Sequence, residues 1–261
     1  MVKRKILFLK SVAYGNLNET IKKYLEGYKD SNTEIEVRNI EKGPKHLEYQ
    51  YYQALAGGEM LKEILRAKRE RFDAVIISCF DDPFLYSARE ISGDMIVTAP
   101  GESSMHLASV LGDRFSVIVG RDKWIPQMKE NVCKYGLEKK LASFRSLGMG
   151  VLDFHKDEKE TIANIKREIT KAIEEDKAEV VILGCSMQFG FYKELQEEFQ
   201  VPILDTMITA LKHAEYLLEL KEKAGWNFSR KGMYEAPPVA EMLEWNLEED
   251  FGLTGMLNGS F

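Results

Sequence analysis

The chain has 261 residues, 44% of them hydrophobic and 30% charged, with a net charge of −6 and an isoelectric point near 5.5. That is ordinary soluble composition, long enough for one large or two small hydrophobic cores. The acidic balance argues against nucleic acid or an anionic membrane as partner. No apolar run nears the roughly 18 residues that span a bilayer, so the expected setting is the cytoplasm.

At the N-terminus, Lys3-Arg4-Lys5 precedes Ile6-Leu7-Phe8-Leu9, and Lys10 ends the run. Four apolar residues are too few for the core of a signal peptide, so the segment reads as a first buried strand. Ser11, leaving the carboxyl end of that strand, is a candidate substrate contact by position. Asn18 is the expected N-cap of a helix carrying Ile21, Tyr24 and Leu25. A strand over Ile35–Ile40 follows, then a helix over 57–70 whose Met60, Leu61, Ile64, Leu65 and Ala67 form an apolar stripe.

Next comes Ala74-Val75-Ile76-Ile77-Ser78-Cys79-Phe80-Asp81-Asp82-Pro83. Its unbroken apolar run predicts a strand buried on both faces of a parallel sheet. A short strand at Met95–Thr98 leads into Gly101-Glu102-Ser103-Ser104 and a helix containing His106. Glu102 and Ser103 open that helix, where capping is their first task. After a strand at Phe115–Val119, a helix bears Trp124, Met128, Val132 and Cys133, and Cys133 reads as a small buried hydrophobe. A strand is expected over Ser143–Leu152. The charged helix at 157–176 then keeps Ile162, Ile165, Ile169 and Ile173 on one face. Val180–Leu183 is a further buried strand, ending in Gly184-Cys185-Ser186-Met187, and Val201–Leu204 and a helix with His213 close the series.

The alternation specifies an α/β fold with mostly parallel sheets. Its second half repeats the first: Cys79 precedes His106 by 27 residues, and Cys185 precedes His213 by 28. The expected architecture is two similar parallel-sheet lobes related by a pseudo-twofold axis, with a cleft between them. Residues 1–105 with 206–225 form the N-terminal lobe, 106–205 the C-terminal lobe, and 226–261 an extension that wraps over a lobe or a neighbouring subunit.

One buried cysteine is most often packing, but two at equivalent strand ends are candidates for chemistry, because ligands bind beyond the carboxyl ends of such strands. A thiolate is a base and a thiol an acid of matched strength. Cys79 and Cys185 on opposite walls of a cleft suit removal of a proton from one face of a carbon and return to the other. Asp81 and Asp82 are placed to orient a thiol or bind a substrate nitrogen, although Asp-Pro after a strand is also turn chemistry. His106 and His213, further along their helices, read as packed or hydrogen-bonded. Three widely spaced cysteines make no disulfide framework. The absence of paired-ligand spacing and of glycine-rich phosphate loops argues against a metal or nucleotide cofactor.

Cys79-Phe80-Asp81-Asp82-Pro83, then Gly101-Glu102-Ser103-Ser104, then Gly184-Cys185-Ser186-Met187 resemble the aspartate/glutamate/hydantoin racemase superfamily, nearest its hydantoin racemase branch, over about residues 3–220. The resemblance implies cofactor-independent racemisation or epimerisation of a small molecule, with Cys79 and Cys185 as the catalytic pair. It places Ser11, Phe80, Asp81, Glu102, Ser103, Ser186 and Met187 at the substrate, with no metal. It also implies a homo-oligomer. Where amino-acid members carry Asn-Thr after the first cysteine, this chain has Phe80-Asp81, which favours a hydantoin-like ring over a free amino acid. Lys10-Ser11-Val12-Ala13-Tyr14 and Ser186-Met187-Gln188 depart from the usual loops and imply a divergent branch. The alternatives are a same-fold isomerase or decarboxylase of a small dicarboxylate, or a non-catalytic small-molecule-binding accessory protein.

Overall fold

The computed structural model describes residues 3–253 and 255–256; residues 254 and 257–261 of the extension lie outside the described residues. Strand β1 (Arg4–Lys10), helix α1 (Asn18–Glu26), β2 (Thr33–Asn39), α2 (Gln50–Arg69), β3 (Ala74–Ile77), α3 (Leu85–Ile91) and β4 (Ile96–Thr98) come first. They are followed by α4 (Pro100–Leu111), β5 (Phe115–Val119), α5 (Ile125–Lys134), β6 (Leu141–Ser146), α6 (Glu158–Glu174), β7 (Val180–Leu183), α7 (Tyr192–Phe199), β8 (Ile203–Asp205) and α8 (Thr206–Ala224). Two short helices, α9 (Val239–Glu244) and α10 (Leu247–Asp250), end the series.

The strands make two four-stranded parallel sheets, ordered β2-β1-β3-β4 and β6-β5-β7-β8. The second order is the first with each strand advanced by four. The central strands are buried along their length, as helices on both faces of a parallel sheet require. Ladder registers coincide as well: Leu9 pairs with Ile77 and Ile118 with Leu183. Cys79 and Cys185 thus each stand two residues beyond the last of these pairs, at the same station of their sheets.

The chain divides into two compact units. One comprises Met1–Ile77, Pro83–Thr98 and Leu211–Phe261; the other comprises Ser78–Asp82 and Ala99–Ala210. In the first, Arg4, buried at the start of β1, makes a two-pronged ion pair with Glu222 of α8 at 2.8 and 2.9 Å. The extension packs on its own chain there. Tyr234 meets the buried Arg89 of α3, Oη to Nη1 at 3.0 Å, and Phe228 lies under the same guanidinium at 4.4 Å. The Arg230 guanidinium donates to the Arg89 carbonyl. In the second unit, Phe115, Val117, Ile118, Val180–Leu183, Ile165, Ile169 and Phe154 form the core.

Three local expectations are corrected. The strand expected over Ser143–Leu152 ends at Ser146: the chain bends at Gly148, with φ +69°, and residues 151–156 form turns, although the Leu147 and Met149 N–H groups still bond the Val119 and Gly120 carbonyls. Asn18 begins α1 without capping it, and its side-chain carbonyl instead accepts from Lys10 Nζ at 3.0 Å. Cys133 lies on α5 as expected but is exposed, off the buried stripe of Met128, Asn131 and Val132. The charged helix does begin as its sequence directs, with Asp157 accepting from the Glu160 N–H at 3.0 Å.

Candidate active site

Both cysteine-bearing turns belong to the second unit. Although residues 78–82 follow a strand of the first sheet, their anchors lie on α4, on α5 and just past α5. The Asp82 N–H closes the turn on the Cys79 carbonyl at 3.0 Å. The Asp82 carboxylate accepts the Gly101 N–H at 2.7 Å, the Glu102 N–H at 2.6 Å and the Tyr135 hydroxyl at 2.6 Å. Asn131 of α5 donates to the Asp81 carbonyl at 2.7 Å. Asp82 takes φ +48°, a left-handed conformation that Asp tolerates better than most residues, and Pro83 follows it.

The second turn is built differently. Cys185 is extended at φ −151°, and the Gln188 N–H donates to its carbonyl at 2.9 Å, closing a 3-10 turn over Ser186–Gln188. Gly184 is required before it, since a Cβ there would sit 2.5 Å from Val117 Cγ1 of β5. His155 braces this turn. Its Nε2 lies 2.8 Å from the Met187 carbonyl, which can only accept, so that nitrogen carries a proton. Its Nδ1 meets Glu158 at 2.9 Å, and its ring stacks on Phe191.

Electrostatics bear on the first cysteine. Burial pushes the Cys79 thiol well above its usual range, and the Asp81 charge adds to this. An Asp81 backbone N–H opposes the shift, and charge on Cys185 and Asp82 raises it further. Cys79 is therefore a neutral thiol near pH 7. The α4 N-terminus does not reverse this, because Asp82 already occupies its Gly101 and Glu102 N–H groups.

Burial also raises the Asp82 carboxyl to about 7, against the opposing pulls of the Tyr135 hydroxyl and the Gly101 N–H. The folded chain thus holds a proton that the unfolded chain sheds near pH 4. This group's contribution to stability falls as pH rises from about 4 to 7, by roughly 4 kcal/mol in full. Urea denaturation at pH 5 and pH 8 checks this. Wild type is expected to lose more stability between the two than Asp82→Asn does, and equal losses would rule out a shifted Asp82.

Of the residues expected at the substrate, Phe80 is only 2% exposed and belongs to the core of the second unit, where its ring anchors the turn. Asp81 stays half-buried beside Cys79. Glu102 and Ser103 are buried in the first turn of α4. Met187 packs against the core, while the buried Ser186 Oγ has no hydrogen-bond partner among the described residues. Ser11, in the first unit, is likewise buried with its Oγ unpartnered among them. His106 is exposed and tilts against the Tyr135 ring at 6.0 Å.

Sequence reasoning missed Tyr135, Asn131, His155 and Gln188. Gln188 is fully buried, and neither atom of its amide finds a partner among the described residues. Only its place three residues after Cys185 could have signalled it.

Residues 16–214 match the family described as Asp/Glu/hydantoin racemase. The chain belongs to this family. It is 34% identical to a hydantoin racemase of Pseudomonas sp. (strain NS671) over 222 residues, covering 85% of this chain and 86% of that protein. It is 30% identical to a hydantoin racemase of Paenarthrobacter aurescens over 92% of this chain and all of that one. Among solved structures, an allantoin racemase from Pseudomonas fluorescens superposes with a TM-score of 0.83 at 27% identity, covering 89% of this chain and 97% of that one. The protein is accordingly a racemase, one kind of isomerase. Among the described residues, no helix is long and apolar enough to cross a membrane.

Proposed function

We propose that this racemase inverts the carbon next to a carbonyl in a five-membered cyclic ureide of the hydantoin type, without a cofactor, using Cys79 and Cys185. One observation carries the reading. The two cysteines occupy the same station of two like-ordered sheets, yet their turns fold into one compact unit, near enough for the charge of one to act on the other.

The thiolate of one cysteine takes the proton from the carbon, and its electron pair moves into the adjacent carbonyl as an enolate. The thiol of the other delivers a proton to the opposite face, becoming the thiolate, so the pair ends with its roles exchanged. The raised Cys79 thiol suits the donor half of the exchange, and the handedness of the substrate decides which cysteine acts first. A ureide carries N–H and carbonyl groups side by side. The Ser186 Oγ and Gln188 amide, without partners among the described residues, supply polar groups of both kinds next to Cys185.

Incubation in heavy water with 5-substituted hydantoins, allantoin and free amino acids, followed by NMR and polarimetry, tests the proposal. Deuterium is expected at the chiral carbon of a ureide, with loss of optical rotation, and free amino acids are expected to stay unexchanged. Exchange confined to amino acids, or into nothing in the panel, would overturn the ureide assignment.

A further inference from the structure

We infer that Asp82, together with Tyr135, is a positioning residue for the Cys79 thiol: their hydrogen bonds fix the turn that carries Cys79 onto the first turn of α4. The inference rests on the proposed role of Cys79 and extends it to residues that do not touch the reacting atoms.

The geometry leaves the turn little freedom. Asp82 holds Cys79 from behind through its own N–H, at 3.0 Å from the Cys79 carbonyl. Its carboxylate gathers three donors from two separate places, two backbone N–H groups at the start of α4 and one phenol just past α5. Phe80 is sunk in the core, and the Asp81 carbonyl is tied to Asn131. Each residue after Cys79 in this turn is therefore fixed to the second unit by its own contact. A thiol meant to deliver a proton to one face of a carbon needs such fixing, because an error of about 1 Å costs on the order of 10²-fold in rate.

The same carboxylate sets a pH condition. Ionised, it accepts all three donors. Protonated, it must donate through one oxygen, which the Tyr135 hydroxyl can accept only by reversing its own bond, and the Glu102 N–H loses acceptor strength. Asp82 titrates at about 7, so the change falls in the working range. The charged or titratable groups that act on it are Glu102 on α4, Tyr135 after α5 and Cys79 within the turn, with His106 of α4 behind the Tyr135 ring and Asp81 beside Cys79.

The test combines kinetics with a readout independent of activity. Asp82→Asn is expected to lower kcat by about 10²-fold with KM within about twofold, and to remove the acid limb near pH 7 from the kcat profile. Tyr135→Phe, which keeps the ring and removes one donor, is expected to lower kcat about tenfold and move that limb to higher pH. Alkylation by iodoacetamide, read peptide by peptide in the mass spectrometer, is expected to change at Cys79 and not at Cys185 in both variants. A role in overall stability alone would lower the melting temperature but leave the pH profile and the alkylation ratio as in wild type; that result overturns the inference. Alkylation also separates this inference from the function it rests on. If Cys79→Ser racemises normally while Asp82→Asn still alters Cys79 alkylation, the two-cysteine mechanism fails and the positioning stands.

Discussion

Changing either Cys79 or Cys185 to serine is expected to lower racemisation by about 10³-fold or more, while Cys133→Ser leaves it within about twofold of wild type. A serine hydroxyl is far too weak an acid to be half of a proton-exchanging pair near neutral pH. Losing either member therefore leaves one face of the carbon without a donor or a base. The packing cost of the change is small at half-buried positions such as these, so melting temperatures should stay close to wild type while activity disappears. Cys133 supplies the contrast, because it is exposed on α5 and has no counterpart in the other sheet. Initial rates by polarimetry on the three single variants decide the matter. A wild-type rate in either Cys79→Ser or Cys185→Ser would end the two-base mechanism.

Gly101→Ala is expected to damage both stability and rate. The added carbon would lie 2.5 Å from the Phe80 carbonyl oxygen and 2.7 Å from Asp82 Oδ2. The first of these is backbone, and the Phe80 ring is locked in the core, so the turn carrying Cys79 has to move away from α4. Overpacking of this kind costs roughly 1–3 kcal/mol, and the displaced thiol should cost kcat about 10²-fold besides. Gly58→Ala is the control. It sits in helix α2 with nothing within 4 Å of the new carbon, and alanine there should stabilise by about 0.5–1 kcal/mol. Urea melts and kcat on both variants measure the difference. If Gly101→Ala matches wild type in both, the turn is not held against α4 as described.

Much of the fold was legible because parallel strands buried on both faces write themselves as unbroken apolar runs. Ala74–Ile77 and Val180–Leu183 are plain for that reason, and their equal distance from the two cysteines revealed the repeat. Edge strands carry no such signature. In β6 every residue is partly exposed, so its polar and apolar residues mix, and the run on to Leu152 concealed its end at Ser146.

For the candidate site, what could be read was the position of residues along the chain, as with the matching strand-end placement of Cys79 and Cys185. The site was illegible where function depends on partners distant in sequence. Tyr135 lies 53 residues from the carboxylate it binds, and His155 lies 32 residues from the carbonyl it holds; neither spacing follows from helical or strand periodicity. The burial of Phe80 was not legible either, because its neighbours in the motif are polar, whereas a large ring in a tight turn gains more from burial.

The way the extension meets α3 bears on how short the polypeptide can be made. Arg89 is only 3% exposed, and its guanidinium donates twice to the Val97 carbonyl while leaning on Phe228 and Tyr234. A chain trimmed back to the end of α8 would bare that cation and the apolar surface around it, leaving it only the Val97 carbonyl and removing its phenol and ring partners. Truncation for expression or crystallisation should therefore stop beyond Tyr234. The exposed helices α9 and α10 are the part that can be given up.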